Sequence, residues 1–362
     1  MSLVDTHATL QLHCLTGMSG LARLKSAWNC LADEHPSRRW EWNDIWWRHF
    51  GPGHELFTLV VSGEAGDIRG IAPFYRQRHW LRGRSLHWLG DHAAQHDQAS
   101  LLVLPGCERT VAEFIAQWLT THGANEWDTL DLRGCDTESR ANSWFWQNIQ
   151  QSGLTNRTLE HRERHRLQLP ASWSAYLHRL PERSRTELVD AQRYWPAGES
   201  VSYRVVETAA ELEEGLAVLT QLRHQQQRGH ATQQPWRNIR YYNFFYDLSR
   251  RLHAQGRLRL VWMSQHERPL AACWGSVGGD TLQLYHAAVE QSVFSPLWQR
   301  LLRCFVLQRA IEEGLTHVDL GYVPERRGFT WGCEATSVAD VQVVGLHAAA
   351  RWRNYWGRWI AR

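Results

Sequence analysis

The 362 residues carry 40 Lys and Arg against 37 Asp and Glu, a formal net charge of +3, with 43% hydrophobic and 21% charged residues. The length favours two domains of roughly 150–200 residues each, and this much apolar material excludes a disordered chain. A charge balance this even does not argue for DNA or RNA, which needs a local basic stripe.

Tryptophan is abundant, 21 residues against 3 Met, and its large rings serve first as core-packing material. The seven cysteines (Cys14, Cys30, Cys107, Cys135, Cys273, Cys304, Cys333) are scattered and never form a C-x-x-C pair. That usage fits reduced, buried thiols of a cytoplasmic protein rather than a disulfide framework or a zinc site. The first twelve residues show no basic region followed by an apolar run, and no stretch approaches 18 apolar residues, so a soluble chain is expected.

From residue 18 to 50 the pattern is helical, with Leu21, Leu24, Trp28 and Leu31 three or four apart and a second helix over 41–50. Residues 56–62 read as a strand and 67–76 as its hairpin partner, followed by strands at 85–90 and 99–104. A helix over 111–121, a strand over 129–132, a helix over 142–151 and a strand over 158–169 complete the first half. A basic helical connector then spans 173–195. The second half repeats the layout, with a strand at 202–208 and helices at 209–224 and 238–254. A hairpin of 258–263 with 270–275 turns near Glu267-Arg268-Pro269, and a strand at 281–288 follows. The helix at 296–313 ends at Gly314, the expected left-handed C′ residue. Strands at 317–320 and 338–346 close the chain. The order predicts a mixed α/β (α+β) fold used twice, with domains at 1–170 and 201–362 joined by a connector at 171–200.

The most informative stretch runs from Thr281-Leu-Gln-Leu-Tyr-His through Ser295-Pro296 to Asp319-Leu320-Gly321. Ser295 is expected as N-cap and Pro296 as N1, which would leave first-turn N–H groups and the positive helix end facing an anion. These residues resemble the CelD-like, cellulose-biosynthesis-associated acetyltransferases, relatives of the FemAB transferases in the GNAT superfamily. Members show Ser-Pro-Gly at the helix start, then Asp-x-Gly and Trp-Gly; here Asp319-Leu320-Gly321, Glu325 and Trp331-Gly332 stand in register. The first half adds Trp40-Glu41-Trp42-Asn43, Gly70-Ile71-Ala72-Pro73-Phe74-Tyr75, Leu89-Gly90 and His96-Asp97. The segment Leu180-Pro181-Glu182-Arg183-Ser184-Arg185 is similar to the family's basic junction. The sequence departs from the pattern at Leu297, Arg327-Gly328 and Gln98.

The resemblance implies tandem GNAT-like domains and an acyltransferase using acetyl-CoA as co-substrate, with no metal. The implied acceptor is an amino group of a saccharide or cell-envelope precursor, in contact with polysaccharide-synthesis machinery. It places the carrier against Tyr285, Ala287, Ser295, Pro296, Leu297 and Trp298, and the acceptor against Asp97, Trp42, Arg185 and Tyr322. Acyl transfer from a thioester needs positioning, an N–H for the acyl oxygen and a base for the amine proton. Asp319, Glu325 and His286 are the base candidates. Two alternatives stand beside this reading: a FemAB-like transferase using charged tRNA, and a catalytically silent accessory of a polysaccharide-synthesis complex.

Other signals carry less. His161 and His165 are four apart but lack the Glu of a metalloprotease helix, and no phosphate-binding Gly-rich loop occurs. The run Arg351-Trp352-Arg353-Asn354-Tyr355-Trp356-Gly357-Arg358-Trp359 alternates Arg with aromatics. That suits a docked terminal helix or contact with the inner face of a membrane.

Overall fold

A computed structural model of the chain describes residues 10–32, 35–80, 83–91, 98–193, 201–226, 238–321 and 331–345. Two compact units emerge, residues 1–162 with 337–362, and residues 163–336. Their limits differ from the expected break between Pro170 and Ser200. The chain's last strand returns to the first unit, a long-range pairing that no local pattern announces.

The first unit opens with β1 (Gln11–Leu15), α1 (Met18–Ala22), α2 (Lys25–Leu31) and α3 (Trp40–Phe50). The helical pattern is therefore interrupted before α3, where Pro36 opens a short 3-10 turn. Then come β2 (Glu55–Leu56), β3 (Thr58–Ser62), β4 (Ile68–Ala72), β5 (Phe74–His79) and β6 (Gly83–Trp88). The single strand expected over 67–76 is split at Pro73, which has no N–H for a ladder. β4 goes to one sheet and β5 to another. β7 (Leu102–Val103), α4 (Glu108–Thr120), β8 (Thr129–Asp136), α5 (Arg140–Gln151) and β9 (Thr155–Gln168) follow. Strands β1, β3, β4 and β7 form one antiparallel sheet. β2, β5, β6 and β8 form a second, in which β6 and β8 run parallel. The core lies between sheet and helices, with Ile115, Leu119, Leu130, Phe145 and Ile149 fully buried.

Asp91, just after β6, is 0% exposed, and neither carboxylate oxygen has a hydrogen-bond partner. Burial, with Asp131 adding to it, pushes its pKa well above the ordinary 3.8. A pKa raised on folding favours the folded state at acid pH, and that contribution is lost as pH rises from the unfolded value through the folded one. Asp91→Asn is therefore expected to stabilise the protein at pH 7, the gain shrinking towards pH 4. Urea unfolding at the two pH values checks this; equal effects at both would contradict it.

The second unit takes the end of β9 and adds α6 (Trp173–Arg179) and α7 (Glu182–Arg193). The segment expected as a connector is thus packed, with Tyr176, Leu180, Leu188 and Ala191 inside this unit's core. β10 (Val201–Val205), α8 (Ala209–Gln226), α9 (Ile239–Ala254), β11 (Leu258–Gln265), β12 (Arg268–Gly278) and β13 (Thr281–Val289) come next. The β11–β12 turn is His266-Glu267, both at positive φ, next to Arg268 and Pro269 as expected. α10 (Ser295–Glu312), β14 (His317–Gly321) and β15 (Glu334–Val344) complete the set. The strands run β10-β11-β12-β13-β14-β9, with β13 and β14 parallel across the α10 crossover. From Ser337 onward β15 belongs to the first unit, antiparallel to β8.

One face of the second sheet packs on α10 and α7 through Met263, Cys273, Leu282, Leu302, Leu307 and Val318. The other carries α8 and α9, with Gly215 letting α8 sit against Leu260 and Trp262. Gly314 closes α10 at φ +76, as its position predicts. Among the described residues no helix is long and apolar enough to cross a membrane.

Candidate active site

β13 and β14 pair only at Thr281↔His317, Leu282↔Val318 and Gln283↔Asp319. Beyond Gln283, β13 keeps β12 as partner but leaves β14, so the two parallel strands part at their C-terminal ends. Ligands of open α/β sheets bind at such ends. In the same place the β12–β13 ladder shifts register, pairing Trp274 with His286 and Gly275 with Leu284. Tyr285 is the extra residue of this bulge, and its backbone leaves the regular ladder beside the parting strands. Gly275 makes the bulge possible. A Cβ there would stand 2.7 Å from the Gln283 carbonyl oxygen and 3.0 Å from the Leu282 and Leu284 side chains.

α10 begins at Ser295, one residue earlier than expected, with Phe294 rather than Ser295 as N-cap. The reason is local bonding. Ser295 Oγ donates to the Glu290 and Ser292 carbonyls at 2.6 and 2.7 Å and accepts from Ser292 N at 2.9 Å. Ser295 N donates to Ser292 O, and Leu297 N and Trp298 N both donate to Phe294 O. Pro296 has no N–H. The first-turn donors expected to face an anion are already engaged inside the loop and helix, which corrects that expectation. Leu297 and Trp298 turn to the core, Trp298 being 9% exposed. Val293 and Phe294 stand out from the loop at 88% and 54% exposure.

The α8/α9 face of the bulge is polar and enclosed. His286 is buried, with Arg223 of α8 donating to Nδ1 at 3.2 Å and the Tyr241 hydroxyl of α9 lying 2.6 Å from Nε2. A ring that accepts at Nδ1 from a guanidinium keeps its proton on Nε2, donated to Tyr241. Burial, reinforced by the Arg223 charge, holds the His286 pKa well below 6.5. Tyr285 and Trp274 pack on the same ring cluster, Tyr285 at 4.6 Å from His286 and 5.9 Å from Trp274.

Asp319 lies on this face too, because its neighbours Val318 and Leu320 point into the α10 core. Its Oδ2 accepts from Arg164 at 2.8 Å and its Oδ1 from Gly321 N at 2.7 Å. The pair is buried on both sides, 5% and 6% exposed. Gly321, at φ +66, ends β14 in the turn that the Asp319 carboxylate closes.

The structure thus brings Tyr285, His286 and Asp319 to one face beside the parting strands, with Ser295–Trp298 at the α10 start. Ala287 is exposed on β13 opposite Cys273. Trp42 is a core residue of the first unit, 2% exposed, donating to Gly90 O at 3.2 Å. Arg185 is half-buried on α7. Asp97, Tyr322 and Glu325 lie outside the described residues, as do Arg327-Gly328 and 351–359. Sequence reasoning missed Arg223, Tyr241, Arg164 and Gly275. Arg223 carried a signal: it falls four residues after Leu219 and seven after Leu216, on the buried stripe of α8.

The first unit repeats the scheme with one difference. β6 and β8 pair in parallel at Ser85↔Thr129 and Leu86↔Leu130 and then part. There Ala99 forms a parallel bridge with Cys135, donating to Gly134 O and accepting from Asp136 N. Asn142 fixes the insert, donating to Ala99 O at 2.9 Å and accepting from Leu101 N at 3.1 Å. The first unit's gap is filled by its own backbone. No bridge among the described residues fills the gap between β13 and β14.

Residues 182–326 match the family described as acetyltransferase (GNAT) domain. The sequence matches no curated protein. The fold is similar to FemX, at 10% identity and TM-score 0.63 over 93% of this chain and 97% of that one. It is also similar to a conserved protein of unknown function from Bacteroides thetaiotaomicron, at 8% identity and TM-score 0.55 over 93% and 100%. A third likeness is to the C-terminal domain of a putative lysylphosphatidylglycerol synthetase from Agrobacterium fabrum, at 11% identity and TM-score 0.51 over 92% and 95%. The chain has a mixed α/β fold in two units, and most of its second unit matches an acetyltransferase (GNAT) domain.

Proposed function

We propose that the protein transfers acetyl from acetyl-CoA to an amino group of a saccharide or cell-envelope precursor, as the CelD-like resemblance implies. The observation that carries the carrier's place is the β13 bulge beside the parting β13 and β14 strands, within the matched domain. The acyl oxygen would be met by a backbone N–H of the β13 bulge, and the exposed Val293 and Phe294 would lie along the carrier's apolar arm. The acceptor would enter from the α8/α9 face, in contact with Tyr285.

Among the base candidates, Asp319 has both oxygens bonded and His286 both nitrogens. His286 has no lone pair to offer without giving up Arg223, and the Asp319 carboxylate is held in a buried ion pair with Arg164, so their roles are read as positioning ones. Glu325 is the remaining candidate for the amine proton. A silent accessory protein is the second reading, favoured by Leu297 and by the engaged first-turn N–H groups of α10.

A thermal melt with acetyl-CoA separates the two. At about a hundredfold over Kd, binding adds about 2.7 kcal/mol. For a unit of this size that raises Tm by about 5–10 °C. An unchanged melt at millimolar acetyl-CoA rejects the transferase reading, and a response to charged tRNA alone selects the FemAB-like one.

A further inference from the structure

Of the cations on the α8/α9 face of the second sheet, Arg164 and Arg223 are placed differently. Arg164 is buried against the Asp319 carboxylate. Arg223 has no carboxylate partner among the described residues. Its side-chain bond runs to a neutral imidazole nitrogen, and its Nε, shut off from solvent, meets no acceptor among the described residues. Taking a guanidinium out of water without a counter-charge is costly, and burial lowers its pKa. The last-turn position on α8 offsets part of that cost through the helix dipole, but this interaction is worth well under a full ion pair.

The side chain is half-buried, so part of the fork is within reach of solvent. Its orientation is fixed. His286 Nδ1 accepts one N–H, and Tyr241 in turn holds His286 in the Nε2–H tautomer. The guanidinium is therefore set beside the bulge in a fixed orientation. A carboxylate or phosphate is what this planar fork binds best.

We propose that Arg223 recognises an oxyanion on the acyl acceptor, so that the acceptor class is an anionic amine, carrying a carboxylate or phosphate near its amino group. This rests on the acyltransferase reading. The acceptor is favoured over the carrier as the anion's source because Arg223 stands on the α8/α9 face, by which the acceptor is read to enter, and that face lies opposite the one on which α10 packs. His286 and Tyr241 act as positioning residues through Arg223.

The test follows the Arg223 Nε–Hε resonance in arginine-selective NMR of the full chain, assigned by its loss in Arg223→Gln. Inorganic phosphate and glutamate are titrated first, then CoA, then acetyl-CoA. The expected result is a saturable shift with phosphate and glutamate in the millimolar range; in parallel calorimetric titrations, which do not need the resonance, affinity should fall on the order of tenfold or more in Arg223→Gln and be partly restored in Arg223→Lys. His286→Gln should weaken the same binding while the resonance stays observable. A resonance indifferent to both anions overturns the proposal. One that moves with CoA but not with phosphate or glutamate also overturns it, by assigning the cation to the carrier. Carrier binding is read separately from the melt, so failure of the acetyl-CoA reading and failure of this assignment give different results.

Discussion

Asp319→Ala is expected to cost the second unit about 3–5 kcal/mol, the usual loss when one partner of a buried ion pair is removed. The carboxylate answers two groups at once, the Arg164 guanidinium and the Gly321 amide. Its loss takes a counter-charge from a cation only 5% exposed and opens the turn that ends β14. A double change, Asp319→Leu with Arg164→Met, should recover much of that loss, because a well-packed apolar pair is often as stable as a buried ionic one. Chemical denaturation of the two variants beside the parent measures this. If Asp319→Ala unfolds with the parent's midpoint, the pair is not what closes β14. Asp319→Asn keeps an oxygen for Gly321 and should fall between. Turnover measured on that variant at a temperature where it stays folded then separates positioning from proton transfer.

The second large effect is at Gly275. Val there would drive a Cβ to 2.7 Å from the Gln283 carbonyl oxygen, which the ladder fixes, and to 3.0 Å from side-chain methyls of Leu282 and Leu284. The methyls can shift but the backbone carbonyl cannot give way as a side chain can, so β12 and β13 must separate or the bulge must move. Overpacking of this kind costs about 1–3 kcal/mol. The larger consequence falls on activity. If Tyr285's displaced backbone supplies the N–H for the acyl oxygen, straightening the bulge removes an oxyanion donor, a loss of about 10²–10³ in kcat. KM for the carrier should change far less. A variant that keeps parental kcat would show that the bulge is not the oxyanion site.

The two mutations touch features of opposite legibility. Asp319 could be singled out in the sequence because an Asp-x-Gly follows the helix at the family's spacing, yet its partner could not. Arg164 sits in the charged run His161-Arg-Glu-Arg-His165 and reads as surface until β9 is paired with β14. Gly275 read only as the end of a hairpin strand, since a bulge depends on the register of two strands and not on either alone. Element order was readable from periodicity in both halves, and Gly314 marked a helix end correctly. The errors cluster where one atom had two possible partners. Ser295 Oγ could cap α10 or bind the loop carbonyls, and it does the latter. Arg223 shows the converse: its place on the buried stripe of α8 was visible in the sequence, but its importance rests on Tyr241 and His286, 18 and 63 residues away. The filled gap of the first unit was equally hidden, because Ala99 is an ordinary strand residue until it bridges to Cys135.

The central claim is that the carrier binds in the second unit, at the β13 bulge and the start of α10, and not in the first. Amide hydrogen exchange with and without saturating acetyl-CoA tests it most directly. Protection should concentrate in residues 284–289 and 293–300, with residues 85–91 and 99–103 of the first unit unchanged. Protection at the first unit's filled gap, or none in either unit, would contradict the account.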